Sequence, residues 1–176
     1  MCDKNPNDQD VPFNQLAITI SENHVIDFHI LDRITVSDVE FEKSFETKII
    51  PYNSRNAKII RYILGKIEKV SGASYDVDFY DEDASIEHVL PQQFEDNWSV
   101  NEETVGKYVF RLGNCCLLER AYNRAVENKS YSEKVPVYNN SRFLMTRELE
   151  KDYPEWNEKT IERRQKKMAA LAKGIW

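Results

Sequence analysis

Glu87 and His88 stand side by side in the segment Ile86-Glu87-His88-Val89-Leu90-Pro91-Gln92, placing a carboxylate next to an imidazole at the end of a short apolar run. A second segment, Arg111-Leu112-Gly113-Asn114, leads into Asn123 and Asn128 and adds carboxamide oxygens. These are the groups that hydrolysis of a phosphodiester calls for: a base to take a proton from water, a hard cation to neutralise the phosphoryl oxygens, and a partner that holds the base in place. His88 suits the base, because an imidazole with a reference pKa of about 6.5 is neutral yet basic near pH 7. Glu87 and the side-chain oxygen of Asn123 suit magnesium or manganese, which prefer oxygen donors and accept one or two from protein while keeping waters and substrate phosphate. Asn114 would orient the imidazole or pin the hairpin that carries it.

The elements that must position these groups read as strand, loop, strand, helix. His88 falls on the first strand, Asn114 on or near a second strand within Val109–Leu118, and Asn123 on a helix from about Glu119 to Asn128. Neighbouring strand residues point to opposite faces, so Glu87 and His88 serve one site only if the chain bends there; Pro91 is compatible with a bend. The connection contains Trp98 and a short helix near Glu102–Lys107. Upstream, Leu16–Ile20 and Val25–Leu31 are apolar enough for strands or short helices, a type the pattern leaves undecided. Asp38 is placed to cap a helix through Phe41, Phe45 and Ile49 that Pro51 closes. A helix from Ser54 to just before Gly72 carries Ile59, Ile60, Ile63, Leu64, Ile67 and Val70 as a core stripe. The acid-dense stretch Asp76–Asp83 lacks the glycine and ligand spacing of a calcium loop and reads as a solvated linker. Downstream, Tyr138–Leu149 is expected to be helical. A last helix opens at Asn157 between the staple residues Trp156 and Ile161, burying Ile161, Met168, Leu171 and Ile175 and leaving its arginines and lysines outside. The fold class expected is α+β and predominantly helical, a hairpin and helix surrounded by helices.

Composition narrows the function. The chain has 176 residues, enough for one domain with a core or one domain with an appended lobe. No apolar run reaches the roughly 20 residues of a membrane span, and the first ten residues lack a secretory pattern, which points to the cytoplasm. Its three cysteines, Cys2 and the adjacent Cys115 and Cys116, encode neither a stabilising disulfide nor a zinc knuckle. The net charge of −6 is unevenly distributed: residues 1–105 hold 9 Lys/Arg against 21 Asp/Glu, and residues 106–176 hold 15 against 9. A basic half beside the candidate site is what phosphate binding needs. Arg163, Arg164, Lys166 and Lys167 either contribute to it or form the solvated face of the last helix. Tyr122 and Tyr131 read as packing residues. No Gly-x-x-x-x-Gly-Lys-Ser/Thr motif occurs, so the chain does not carry that phosphate-cradling loop.

The run Ile86-Glu87-His88-Val89-Leu90-Pro91-Gln92, followed by Arg111-Leu112-Gly113-Asn114, Leu117-Leu118, Asn123, Asn128 and Lys134, resembles the HNH (His-Me finger) nuclease domain at the C-terminal end of GmrSD-type modification-dependent restriction endonucleases. Arg61-Tyr62-Ile63-Leu64 with Ile67-Glu68 resembles the helix before that motif, and Trp156, Ile161, Arg163 and Trp176 its closing helix. The likeness spans roughly residues 55–176. It implies a ββα-metal core, one-metal cleavage of DNA with Mg2+ or Mn2+ in defence against phage, and a nucleotide-hydrolysing partner domain or subunit. His88 and Asn114 would be catalytic, and Glu87 and Asn123 metal ligands. Arg111, Arg124 and Lys134 would contact nucleic acid, with Lys134 and Arg111 alternatively pairing with Glu133 or Glu119. Asn128 competes with Asn123 for the last ligand position. Asn123 is preferred because its nine-residue interval from Asn114 resembles other HNH nucleases. Cys115-Cys116 departs from the Leu-Thr common after Gly-Asn in the family. The domain division expected is a disordered leader at 1–11, a helical N-terminal lobe at 12–83 and the nuclease core at 84–176. The alternative is a catalytically silent nucleic-acid-binding or helical interaction module of a larger restriction protein.

Overall fold

In a computed structural model, which describes residues 5–75, 77–78, 81–94, 98 and 100–176, a two-stranded hairpin sits between two hydrophobic clusters. Strands β1 (Ala84–His88) and β2 (Cys115–Glu119) pair antiparallel, with Ala84 opposite Glu119 and His88 opposite Cys115. Side chains alternate across a strand. Ala84, Ile86, Cys115 and Leu117 therefore turn to one side, where Phe45, Ile60, Ile67, Met168 and Ala172 meet them. Cys116 and Leu118 turn to the other side and join Val126, Val135, Tyr138 and Leu149. A sheet covered on both faces needs the continuous apolar run Cys115–Leu118 in place of a polar–apolar alternation.

The first cluster is closed by helices α2 (Asp38–Thr47), α3 (Ser54–Val70) and α9 (Glu158–Lys173). In α3 the residues Ile60, Ile63, Leu64 and Ile67 are buried, and full burial of each such side chain stabilises the fold by about 1.5–3 kcal/mol. Ile59 and Val70, at the margins of that stripe, remain 43% and 49% exposed. Helix α9 packs against α2 and against the 3₁₀ turn Leu112–Asn114. There Gln165 donates to the carbonyls of Phe45 and Lys48 at 2.7 and 2.9 Å, and accepts from Gly113 N at 3.1 Å. Gly113 is required by this approach, since a Cβ there would stand 2.3 Å from the Ile161 carbonyl oxygen. The second cluster is closed by α5 (Arg120–Val126), α6 (Tyr131–Tyr138) and α8 (Leu149–Asp152). Two further helices, α4 (Glu102–Tyr108) and α7 (Leu144–Arg147), complete this part of the chain.

Several local expectations are revised. Residues left undecided upstream form α1 (Asp10–Asn23) and a 3₁₀ turn at Phe28–Leu31, with α1 opening inside the stretch assigned to a leader. Ser37 caps α2 by accepting from Glu40 N, so Asp38 is its first residue; Ile49 lies past the helix end and bridges to Arg111. The second strand starts at Cys115 because Leu112–Asn114 turns as 3₁₀. Tyr138–Leu149 is not one helix: α6 ends at Tyr138 and α7 and α8 follow as short turns. Helix α9 has its Asn157 cap as expected, but Arg164 is only 2% exposed and donates to the carbonyls of Gly113 and Cys115 at 2.7 and 2.8 Å. Of the acidic stretch, Asp76, Phe79 and Tyr80 lie outside the described residues, as do the first four residues including Cys2; Asp81 pairs with Arg142. No helix among the described residues is long and apolar enough to cross a membrane.

Candidate active site

His88 ends β1, and Asn114 determines where the chain goes next. The Asn114 carbonyl accepts from Val89 N at 3.0 Å, and its Oδ1 accepts from Leu90 N at 2.8 Å and Trp156 Nε1 at 3.0 Å. Its Nδ2 donates to Leu90 O at 2.9 Å and Val109 O at 3.0 Å. The side chain is fully buried with every polar group matched, so Asn114 pins the hairpin end and has no bond to the imidazole.

Glu87 and His88 leave the strand on opposite faces, as strand parity requires, yet both line one cavity of about 510 Å³ with Asn123, Arg124 and Asn128. On the α6 side, Glu87 Oε1 accepts from Lys134 Nζ at 2.7 Å and from the Tyr138 hydroxyl at 2.8 Å. Burial raises the Glu87 carboxyl above its ordinary value, against the pull of the Lys134 charge and of the hydrogen bonds from Lys134 and Tyr138. On the other face the His88 ring meets Tyr52 at 5.5 Å and Phe110 at 5.8 Å, both nearly perpendicular to it at 84° and 87°. Its Nε2 is enclosed and has no hydrogen-bond partner among the described residues. Burial, and to a smaller extent the Lys134 charge, pushes the imidazole down to about 4, which keeps it neutral at physiological pH.

Asn123 reaches the site because α5 follows β2 directly. Its Nδ2 donates to Ser85 Oγ and Ile86 O, both at 3.0 Å. Those two bonds occupy both amide hydrogens of a side chain that belongs to the cavity lining. Asn128 lines the same cavity beyond the end of α5, and its carbonyl accepts from the indole of Trp98 at 3.4 Å. Glu127 between them has φ 39°, an uncommon backbone for a residue with a side chain, and also faces the cavity.

Of the residues expected to touch nucleic acid, Arg124 is exposed on the cavity wall. Arg111 is elsewhere: its guanidinium lies 4.9 Å from the Tyr108 ring centre and 4.0 Å from Glu162, beside a groove bordered by Lys159, Arg163 and Lys166. Lys134 is fully buried and pairs with Glu87 rather than Glu133, also donating to His88 O at 3.3 Å and Val89 O at 3.2 Å. Cys115 and Cys116 are free and buried. Tyr52, Glu127 and Tyr138 belong to this site and were not singled out from sequence. Tyr138 sits at helical spacing from Lys134, a signal that recognising α6 would have exposed.

Among the described residues no group of three His, Cys, Asp or Glu side chains is placed to hold a metal. The oxygen donors lining the cavity are the carboxylates of Glu87 and Glu127 and the carboxamides of Gln92, Gln93, Asn123 and Asn128, an oxygen set that suits magnesium or manganese and not zinc.

Fold and cavity together define a helix-rich α+β domain in which a hairpin and the following helix gather an imidazole, carboxylates and carboxamides. A family profile described as GmrSD restriction endonucleases, C-terminal domain, matches residues 35–171. The chain belongs to that family, which ties it to restriction endonucleases. Comparison with curated proteins finds no match.

Proposed function

We propose that this chain is a metal-dependent DNA endonuclease whose β1, β2 and α5 form a ββα-metal core of the HNH type. The observation that carries the reading is that His88, Glu87 and Asn123 line one cavity, with Asn128 and Arg124 beside them, in a chain of a restriction endonuclease family. Glu87 and Asn123 would hold one Mg2+ or Mn2+, with Asn128 the alternative to Asn123. The bound ion supplies positive charge to the phosphoryl oxygens. His88, neutral in its buried setting, takes a proton from water; because Nε2 is enclosed, Nδ1 is the nitrogen that receives it. The water oxygen bonds to phosphorus as the bond to one ester oxygen breaks, and the departing alkoxide takes a proton from solvent. Arg124 contacts a neighbouring phosphate. Asn114 acts at a distance by anchoring the turn after His88.

The proposal extends to the setting. The enzyme works in the cytoplasm in defence against phage, with nucleotide hydrolysis supplied by a partner domain or subunit. The test is plasmid DNA incubated with the purified chain and Mg2+ or Mn2+. His88→Ala should slow nicking by about 10²–10⁴-fold, the usual contribution of a general base, while far-UV circular dichroism stays unchanged. Undiminished cutting by that variant would overturn the assignment. Salt-sensitive DNA binding without any metal-dependent cleavage would favour a silent binding module.

A further inference from the structure

A general base needs a fixed orientation, and among the described residues Nε2 of His88 has no hydrogen-bond partner, while Asn114 is committed to the backbone of Leu90 and Val109. The ring is instead met edge-on by two aromatic side chains from different parts of the chain, Tyr52 at 5.5 Å and Phe110 at 5.8 Å. Their backbones are tied together, since Ile50 N donates to Phe110 O at 2.9 Å and Ile49 bridges to Arg111. The segment with Tyr52 is held from its other end, where Asn56 Nδ2 donates to Pro51 O at 2.7 Å and Asn53 caps α3. Tyr52 also lines the cavity and is 47% exposed, so it closes the imidazole's side of the opening without being part of either hydrophobic cluster.

We propose that Tyr52 and Phe110 are positioning residues that clamp the His88 imidazole by edge-to-face packing, doing for this base what a hydrogen-bonded carboxylate or amide does for others. The inference rests on the hydrolytic reading above and names how its base is aligned. The two contacts nearly perpendicular to the imidazole restrict rotation about its side-chain bonds. Aromatic pairs prefer such geometry.

The experiment compares Tyr52→Ala, Tyr52→Phe and His88→Ala in metal-dependent plasmid or oligonucleotide cleavage by the full chain. Tyr52→Ala should lower kcat by about 10- to 100-fold, the range expected when a reacting group shifts by an ångström or less. KM and the metal concentration for half-activity should stay within about twofold, since neither substrate binding nor ion binding depends on the clamp. Tyr52→Phe should retain near-full kcat because it keeps the ring. Tyr52→Ala in the His88→Ala background should cost nothing more, because two residues acting through one group are not additive. A readout independent of turnover is the NMR spectrum of the three histidine rings, His24, His29 and His88. The His88 ring resonances should shift and broaden in Tyr52→Ala and not in Tyr52→Phe. Wild-type kcat in Tyr52→Ala beside an inactive His88→Ala would overturn the clamp alone. So would equal losses in Tyr52→Phe and Tyr52→Ala, or an effect confined to KM. Wild-type cutting by His88→Ala would overturn the hydrolytic reading and the clamp together.

Discussion

Replacing Lys134 by methionine removes a buried charge while keeping most of the side chain's apolar volume. Lys134 Nζ has no exposed surface and makes bonds of 2.7 Å to Glu87, 3.3 Å to His88 O and 3.2 Å to Val89 O. The substitution leaves the Glu87 carboxylate with the Tyr138 hydroxyl and no counter-charge. Breaking a buried pair from one side costs about 3–5 kcal/mol, far above the 0–1 kcal/mol of an exposed pair. For a domain of this size about 2–4 °C of Tm per kcal/mol gives a drop of about 6–20 °C. The loss should depend on pH. The folded-state pKa of Glu87 is already raised by burial and rises further without Lys134. A carboxyl raised in the folded state contributes stability that is fully present below its unfolded pKa and lost as pH rises through the folded value. The variant should therefore lose more stability at pH 8 than at pH 5. Adding Glu87→Gln should recover much of the loss, because a neutral pair leaves no buried charge alone. Urea unfolding of the variants at both pH values measures this. A loss below about 1 kcal/mol, or one equal at pH 5 and pH 8, would refute the reasoning.

Two further outcomes follow from buried groups. Asn114→Asp keeps the acceptor for Leu90 N and Trp156 Nε1 but turns a second oxygen on the carbonyls of Leu90 and Val109, so thermal unfolding should show at least about 2 kcal/mol of lost stability. Stability within 0.5 kcal/mol of the parent would count against it, since that is the usual reach of a neutral surface change. Burial pushes both Cys115 and Cys116 up to about 12, which leaves a thiolate fraction of about 10⁻⁴ at pH 8. In a Cys2→Ser background, iodoacetamide should therefore label neither thiol in the native protein and both in guanidinium; rapid native labelling would show that the hairpin is open.

The sequence made the hairpin's chemistry legible because the carboxylate, imidazole and carboxamides cluster in two short segments, and the apolar run Cys115–Leu118 marks a buried strand. Strand parity also shows in advance that Glu87 and His88 diverge. The residues around them were harder to see. Helix α6 was hidden because its inward positions Tyr131, Lys134, Val135 and Tyr138 include a lysine and two tyrosines, and Pro136 lies within it. Without α6 there is no reason to pair Lys134 with a residue 47 positions away, so the sequence leaves it between a phosphate contact and a nearby Glu133 or Glu119. Arg164 misled in the same way, since a guanidinium on an amphipathic helix is usually solvated, whereas this one reaches the carbonyls of the 3₁₀ turn. Tyr52 sits in a loop before a capping asparagine with no periodicity to mark it. Only the tertiary contact of that loop with Phe110 brings it to His88.

In the proposed enzyme the two faces of β1 and the start of α5 converge on one divalent ion. Crystals of the chain soaked in Mn2+ and measured at the manganese absorption edge would locate that ion. One anomalous peak is expected in the cavity, held by Glu87 and by Asn123 or Asn128 with waters completing the shell, and His88 within reach of one of those waters. A peak held by other residues, or an empty cavity at saturating Mn2+ with Glu87 still bound only to Lys134 and Tyr138, would contradict it.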